Sequence, residues 1–250
     1  MTKTFKSLSR GCAALALWAV LSSTASAVQM VVIESDDDAL PAGHVFDGAT
    51  EISVAAEKRV VVIDETGKTV ALAGPYTGAP GAGADPASTD PSMIAALADL
   101  ATAAGPSKGS LGATRTVDGI GGIKPQQPAL AVDVGSAGTY CVPAAGPVVL
   151  WRASSRGGGE AKVKKVGESM RAEVAWGLGM KETTWPAAVG LEDGAGYVIL
   201  SRRGSTATRV TLKLIPAELE QDAPRAIWMA KNDCMRQAKL LLGEIAAAAE

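Results

Sequence analysis

The chain has 250 residues, of which 24 are lysine or arginine, 26 are aspartate or glutamate and one is histidine, giving a formal charge of −2 at pH 7. Because acidic and basic residues nearly balance, this composition excludes a nucleic-acid-binding protein that works through bulk positive charge. Hydrophobic residues make up 47% of the chain and charged residues 20%, which is the composition of a chain that folds around a buried core.

Residues 1–27 have the pattern of a cleavable signal peptide. Basic residues precede an apolar run over 11–22 that is too short to span a bilayer, and small residues at 25–27 suit a cleavage site. The alternative is a buried N-terminal helix. Cleavage predicts a mature chain that begins at Val28, has a formal charge of −5 and contains no membrane span. We therefore predict an exported protein that resides in the periplasm.

The same cleavage removes Cys12 and leaves Cys141 and Cys234 in the mature chain. In an oxidising compartment, a remaining pair of cysteines predicts one disulfide. Such a bridge would close a loop of 93 residues and stabilise the fold by about 4 kcal/mol. The alternatives are two buried free thiols and a disulfide between two molecules.

Short apolar runs separated by turn residues predict a small β-domain over 28–76. Residues 64–67 (DETG) have the composition of a hairpin turn between two of these runs. The strand candidates are 28–33, 51–54, 58–63 and 68–72.

Residues 77–128 are rich in glycine, proline and alanine and predict a linker. One part of it differs, because Asp90 and Pro91 suit the start of a helix. Apolar residues then recur at helical spacing at Ile94, Leu97 and Leu100. We predict one short helix near 91–104 within the linker.

Residues 129–250 predict a β-sandwich followed by a C-terminal α-helix. Apolar side chains recur at steps of three and four over 223–248, and Cys234 lies in this stripe. If the stripe packs on the sandwich, a strand carrying Cys141 is a sensible disulfide partner for it. The strand candidates are 129–134, 138–142, 147–153, 160–166, 170–176, 182–185, 195–201 and 206–215.

The sequence contains few residues or motifs that indicate catalysis. His44 is the only histidine, so a Ser-His-Asp triad would have to use it, yet it lies in a turn before a strand, where a surface role is typical. Both mature cysteines are better explained as a bridge than as a nucleophile. The glycine-rich segment 105–110 lacks the Gly-Lys-Ser order of a phosphate loop. We predict no catalytic residue, no cofactor and no enzymatic activity.

An acidic cluster formed by Glu34, Asp36, Asp37 and Asp38 could gather oxygen atoms around a calcium ion. It lacks the spaced ligands and the glycine of a calcium-binding loop, so we favour a solvated acidic turn. The sequence therefore predicts no metal site.

Four tryptophans of the mature chain leave two interpretations open. Large aromatic residues in a sandwich usually fill its core, whereas exposed ones stack on sugar rings. Trp228 lies near the C-terminal apolar stripe. The candidates for stacking on a glycan are Trp151, Trp176 and Trp185.

Residues 42–54 (AGHVFDGATEISV) and 60–75 (VVVIDETGKTVALAGP) form a series of strands with glycine-led turns. Over about 40–76 the chain resembles the periplasmic β-domain of FecR-like proteins. The sensor members of that family cross the membrane and signal to sigma factors. This chain has a cleavable leader and no other membrane segment, so the resemblance implies an envelope interaction module instead.

The C-terminal half resembles an exported proteobacterial module of uncharacterised function, through 140–142 (YCV), 149–152 (VLWR) and 193–197 (DGAGY). Together these features predict a non-catalytic exported envelope protein that acts as a protein-interaction or sensor-like module, with another envelope protein as its partner. The alternative is a glycan- or peptidoglycan-binding module that uses the tryptophans.

Overall fold

The computed structural model describes residues 28–82, 91–105, 127–201 and 207–249. The predicted signal peptide over 1–27 lies outside this part of the chain, as does most of the predicted linker. Within it the fold is mainly β, with fourteen strands and three α-helices. No helix in these ranges combines the length and the apolar character needed to cross a membrane.

The N-terminal region forms two small antiparallel sheets. A four-stranded sheet has the order β2-β1-β4-β5, and β3 pairs with β6. Each of the four predicted strands overlaps an observed one, whereas β2 and β6 are not among the predicted strands. The strands are β1 (Gln29–Ser35), β2 (Val45–Asp47), β3 (Ile52–Val54), β4 (Arg59–Asp64), β5 (Thr69–Ala73) and β6 (Tyr76–Gly78).

The four-stranded sheet is covered on both faces, which explains why β1 and β4 are almost continuously apolar. One face packs with the β3–β6 ribbon through Met30, Val32, Val60 and Val62. The opposite face packs against helices through Val31, Ile33, Val61 and Ile63.

The C-terminal region contains eight strands in two sheets that share one hydrophobic core. The five-stranded sheet has the order β11-β10-β13-β14-β8, and the three-stranded sheet has the order β12-β9-β7. Each strand overlaps its predicted range. The strands are β7 (Val132–Asp133), β8 (Gly138–Pro143), β9 (Val149–Trp151), β10 (Gly159–Lys165), β11 (Ala172–Trp176), β12 (Glu182–Thr184), β13 (Gly196–Ser201) and β14 (Ala207–Ile215).

The three helices are α1 (Pro91–Ala104), α2 (Asp222–Lys231) and α3 (Met235–Ala248). The first is the helix predicted within the linker. The expectation of one continuous helix over 223–248 was wrong, because the chain turns between α2 and α3. Asp233 has a φ of 64°, which an α-helix cannot accommodate, and the amide of Cys234 bonds back to the carbonyl of Met229 at 2.9 Å.

The helices pack chiefly on the N-terminal sheet, and only the ends of β8 and β14 contribute from the C-terminal sheets. Leu97 of α1 and Leu241 of α3 are buried with Val61 of β4 in one cluster that also contains Cys141 and Ile215. Helices that follow the sandwich in sequence therefore cover the sheet that precedes it, and they join the two β regions.

The predicted disulfide between Cys141 and Cys234 is present, with an S–S distance of 2.01 Å and a Cα–Cα distance of 5.9 Å. It ties the turn between α2 and α3 to β8. Gln237, one turn further along α3, is also buried. Its Oε1 accepts from the Cys141 amide at 2.7 Å, and its Nε2 donates to the carbonyls of Cys141 and Ala129 at 3.1 and 2.8 Å. The Gln237 side chain thus forms hydrogen bonds with the outer edge of β8, as the backbone of a neighbouring strand would.

Candidate functional site

His44 lies on the surface at the start of β2, as the sequence suggested. Its ring stacks on Phe46 with the centroids 6.0 Å apart, and its amide bonds to the carbonyl of Pro41 at 3.0 Å. Among the described residues, its imidazole has no hydrogen-bonded side chain that could activate it.

The segment 105–109 (GPSKG) has the Gly-x-Ser-x-Gly spacing found in hydrolases. In those enzymes the serine occupies a sharp turn between a strand and a helix. Here Gly105 directly follows α1 with a φ of 78°, so a helix precedes the motif instead of a strand. Residues 106–110 lie outside the part of the chain that the structure describes.

The acidic cluster does not converge on one point. Asp37 turns inward, where its carboxylate accepts the amides of Ala39 and Ala55, each at 3.0 Å. Asp36 and Asp38 are exposed, and Glu34 lies 3.6 Å from Arg59. No group of three or more His, Cys, Asp or Glu residues suited to a metal occurs in the described ranges. Asp37 therefore organises the turn between β1 and β2.

Asp37 gives the fold a specific acid sensitivity. The amides of Ala55 and Ala39 bond to its carboxylate and hold its pKa below the ordinary value of 3.8, with nearby Lys58 contributing less. A carboxyl whose folded pKa is depressed stabilises the protein above its ordinary pKa, and that contribution is lost as pH falls through the folded value. We expect Asp37→Asn to be less stable than the wild type at neutral pH and to lose less stability on acidification.

Chemical denaturation across a pH series measures this difference. Asp38→Asn is the matched control, because it removes an exposed carboxylate from the same turn. Parallel stability-against-pH curves for the wild type and Asp37→Asn would contradict the assignment.

All three tryptophans proposed for stacking lie in the sandwich core. Trp151, Trp176 and Trp185 are only 7%, 5% and 6% exposed. Trp185 meets the ring of Tyr197 edge to face at 5.1 Å, and its Nε1 donates to the carbonyl of Val189 at 2.8 Å. Stacking on a sugar needs an accessible ring face, so the core interpretation replaces the ligand interpretation for these residues.

The most exposed large apolar side chain among the described residues lies elsewhere, in the loop that joins β11 to β12. Leu178 is 83% exposed and Met180 is 57% exposed, and both belong to residues 177–181 (GLGMK), which we name the tip loop. The loop closes through a bond from the Met180 amide to the Gly177 carbonyl at 3.2 Å. Gly179 has a φ of 76°, a conformation that favours glycine.

Arg152 holds the tip loop in place from the end of the adjacent strand β9. Its Nε and Nη2 donate to the Met180 carbonyl at 3.0 and 2.8 Å, and Nη2 also donates to the Gly157 carbonyl at 2.9 Å. The guanidinium lies 5.6 Å from the ring centroid of Trp176, within the range of a cation–π interaction. The apolar side chains are therefore presented on a braced loop.

Charges of both signs surround the tip loop. Arg156 lies on the neighbouring loop, Glu160 lies near the start of β10, and Lys181 and Glu182 follow Met180 directly. A small apolar centre with a rim of mixed charge is the usual anatomy of a protein–protein contact.

Sequence patterns did not identify the tip loop, because a GLGMK segment is typical of any turn between strands. Exposure of Leu178 depends on how the two sheets meet, and the bracing by Arg152 joins residues that lie 28 positions apart. No periodicity or motif encodes either feature.

No protein-family model matches this chain, and comparisons with curated proteins and with solved structures find no significant match. The FecR-like character of residues 40–76 stays a prediction.

Proposed function

We propose that this chain is an exported, non-catalytic envelope protein that binds another protein through the tip loop. The observation that carries the proposal is the 83% exposure of Leu178 on a loop held by two hydrogen bonds from the Arg152 side chain to the Met180 carbonyl. Burial of a leucine side chain contributes about 1.5–3 kcal/mol, so a fixed, solvent-exposed leucine offers binding energy at small entropic cost.

Export is supported by two independent features. The pattern of residues 1–27 is that of a signal peptide, and a buried disulfide is typical of an oxidising compartment. In this proposal the mature protein begins at Val28 and acts in the periplasm as an interaction module, in keeping with the FecR-like resemblance. The glycan-binding alternative is not carried forward, because its three tryptophans are buried.

The test is affinity purification of the tagged full chain, after cross-linking in its own cells, with mass spectrometry of the captured proteins. Replacing both Leu178 and Met180 by aspartate is expected to reduce recovery of a specific partner about tenfold or more. The reason is that both apolar contacts are lost and two charges are placed in the interface.

The matched control replaces Val166 and Met170 by aspartate. These side chains are 57% and 59% exposed at the opposite end of the β10–β11 hairpin. The control should recover the partner as the wild type does. A set of cross-linked proteins that is identical for all three chains would overturn the proposal.

A further inference from the structure

The strand β5 is an outer strand of the four-stranded sheet, and one of its edges has no partner. Its register with β4 pairs Val62 with Val70 and Val60 with Leu72. Two hydrogen bonds show which residues bond between β4 and β5. The Gly74 amide donates to the Lys58 carbonyl at 2.8 Å, and the Asp64 amide donates to the Lys68 carbonyl at 3.0 Å.

Between antiparallel strands, hydrogen-bonded residue pairs alternate with non-bonded pairs. The two bonds given above therefore show that Val70 and Leu72 direct their amides and carbonyls toward β4. Thr69, Ala71 and Ala73 direct theirs away from the sheet. Within the described ranges the backbone amides and carbonyls of these three residues have no hydrogen-bond partner. β5 therefore presents a row of backbone donors and acceptors without partners.

Two other outer strands of this protein, β8 and β11, are partly covered by side chains. The Gln237 side chain hydrogen-bonds to the amide and the carbonyl of Cys141 on β8. The Thr183 hydroxyl donates to the Ala175 carbonyl of β11 at 2.9 Å. Native proteins usually protect an edge strand with such contacts, or with lysine, proline or a bulge inside it. β5 has the sequence TVALA, with no charged residue and no proline.

A groove of about 470 Å³ begins beside this open edge. Thr69 and the β4–β5 turn form one wall, and Gln221, Ala223, Ile245 and Ala248 of the helical region form the other. The volume is within the range of ligand clefts. A chain that lay along β5 would meet the apolar side chains of Ile245 and Ala248 on its helix-facing side, and the acidic Glu220 and Asp222 also line the groove.

We propose that β5 binds an extended segment of a partner protein, which adds to the four-stranded sheet as a further strand. Backbone bonds to Thr69, Ala71 and Ala73 supply affinity, and alternate apolar side chains of the segment contact Ile245 and Ala248. A single strand suits the groove better than a second copy of this sheet, because α2 and α3 stand beside the edge. The site is on a different sheet from the tip loop and goes beyond the function proposed above.

The probe is a phage-displayed library of random peptides, selected on the purified mature protein, with affinities of the selected peptides then measured by fluorescence anisotropy. Ala71→Pro removes an outward amide while the bonds of Val70 and Leu72 to β4 remain. We expect this variant to bind the selected peptides about tenfold more weakly. Ala71→Ser keeps the amide and should bind as the wild type does.

Ala73→Pro repeats the test at a second outward amide, and thermal melting verifies that each variant is folded. Hydrogen exchange of the Ala71 and Ala73 amides should slow when peptide is added. The variant with aspartate at 178 and 180 should bind peptide normally, which separates this site from the tip loop. Failure to select any peptide, or binding by both proline variants that is as tight as binding by the wild type, would overturn the proposal. A wild-type dimer that Ala71→Pro dissociates would also overturn it, because the occupant would then be a second copy.

Discussion

Replacement of both Cys141 and Cys234 by alanine is expected to lower the free energy of unfolding by about 4 kcal/mol. The bond joins positions 93 residues apart, so its loss releases a long loop in the unfolded chain. Both cysteines are buried where the turn between α2 and α3 meets β8. Guanidinium denaturation followed by tryptophan fluorescence measures the change.

Reduction of the wild type provides the control for this experiment. A reductant strong enough to open the bond should bring the wild type close to the double variant and should leave the double variant unaffected. Equal denaturation midpoints for the oxidised wild type and the double variant would show that the disulfide does not stabilise the fold.

The substitution Gln237→Leu is expected to lower the free energy of unfolding by about 2–3 kcal/mol. Leucine has a similar size, but it leaves the Cys141 amide and the Cys141 and Ala129 carbonyls without the partners that Gln237 supplies. A buried polar group without a hydrogen bond costs more than the bond itself contributes. Urea denaturation measures the loss, and faster hydrogen exchange at the Cys141 amide would locate it at β8.

The matched control is Met235→Leu, an apolar substitution at an exposed position of the same helix. It should leave stability within a few tenths of a kcal/mol of the wild type. If Gln237→Leu were as stable as this control, the proposed pairing of the β8 edge by a side chain would be incorrect.

Hydrophobic alternation predicted most elements of this fold correctly. β14 alternates with Val210 and Leu212 buried on one side, and α1 follows from the spacing of its apolar residues after Pro91. Local patterns suffice for such elements because one face is buried and the other is not. The three-residue strands β2 and β6 were not predicted from the sequence.

The break between α2 and α3 shows where local patterns fail. The apolar stripe from 223 to 248 continues across the break, so periodicity alone favours one helix. The positive φ of Asp233 and the bond from Cys234 to β8 interrupt it. That interruption depends on a strand that is 93 residues away, which no local window contains.

The two candidate binding surfaces were not predictable either. Leu178 resembles any leucine in the sequence, and it is distinguished only by the absence of a core residue against it. β5 resembles any short strand, and its open edge exists because no other strand or side chain pairs with it among the described residues. The exposure of Leu178 and the open edge of β5 both result from a missing neighbour in the folded chain. A sequence alone does not show which residues lack neighbours.

The amino-acid sequence by itself determined the mainly β class and the position of α1, because each depends on composition or on contacts within a short window. It predicted the pairing of Cys141 with Cys234 from the number of cysteines alone, and the structure decided it against free thiols and a bridge between two molecules. Only the tertiary structure decided that α2 and α3 cover the N-terminal sheet, that Trp151, Trp176 and Trp185 are core residues, and that the tip loop and β5 are left open. The physical reason is that burial is a property of the whole packed chain. Of two segments with equal apolar character, one is buried and the other exposed, depending on which other elements pack against them.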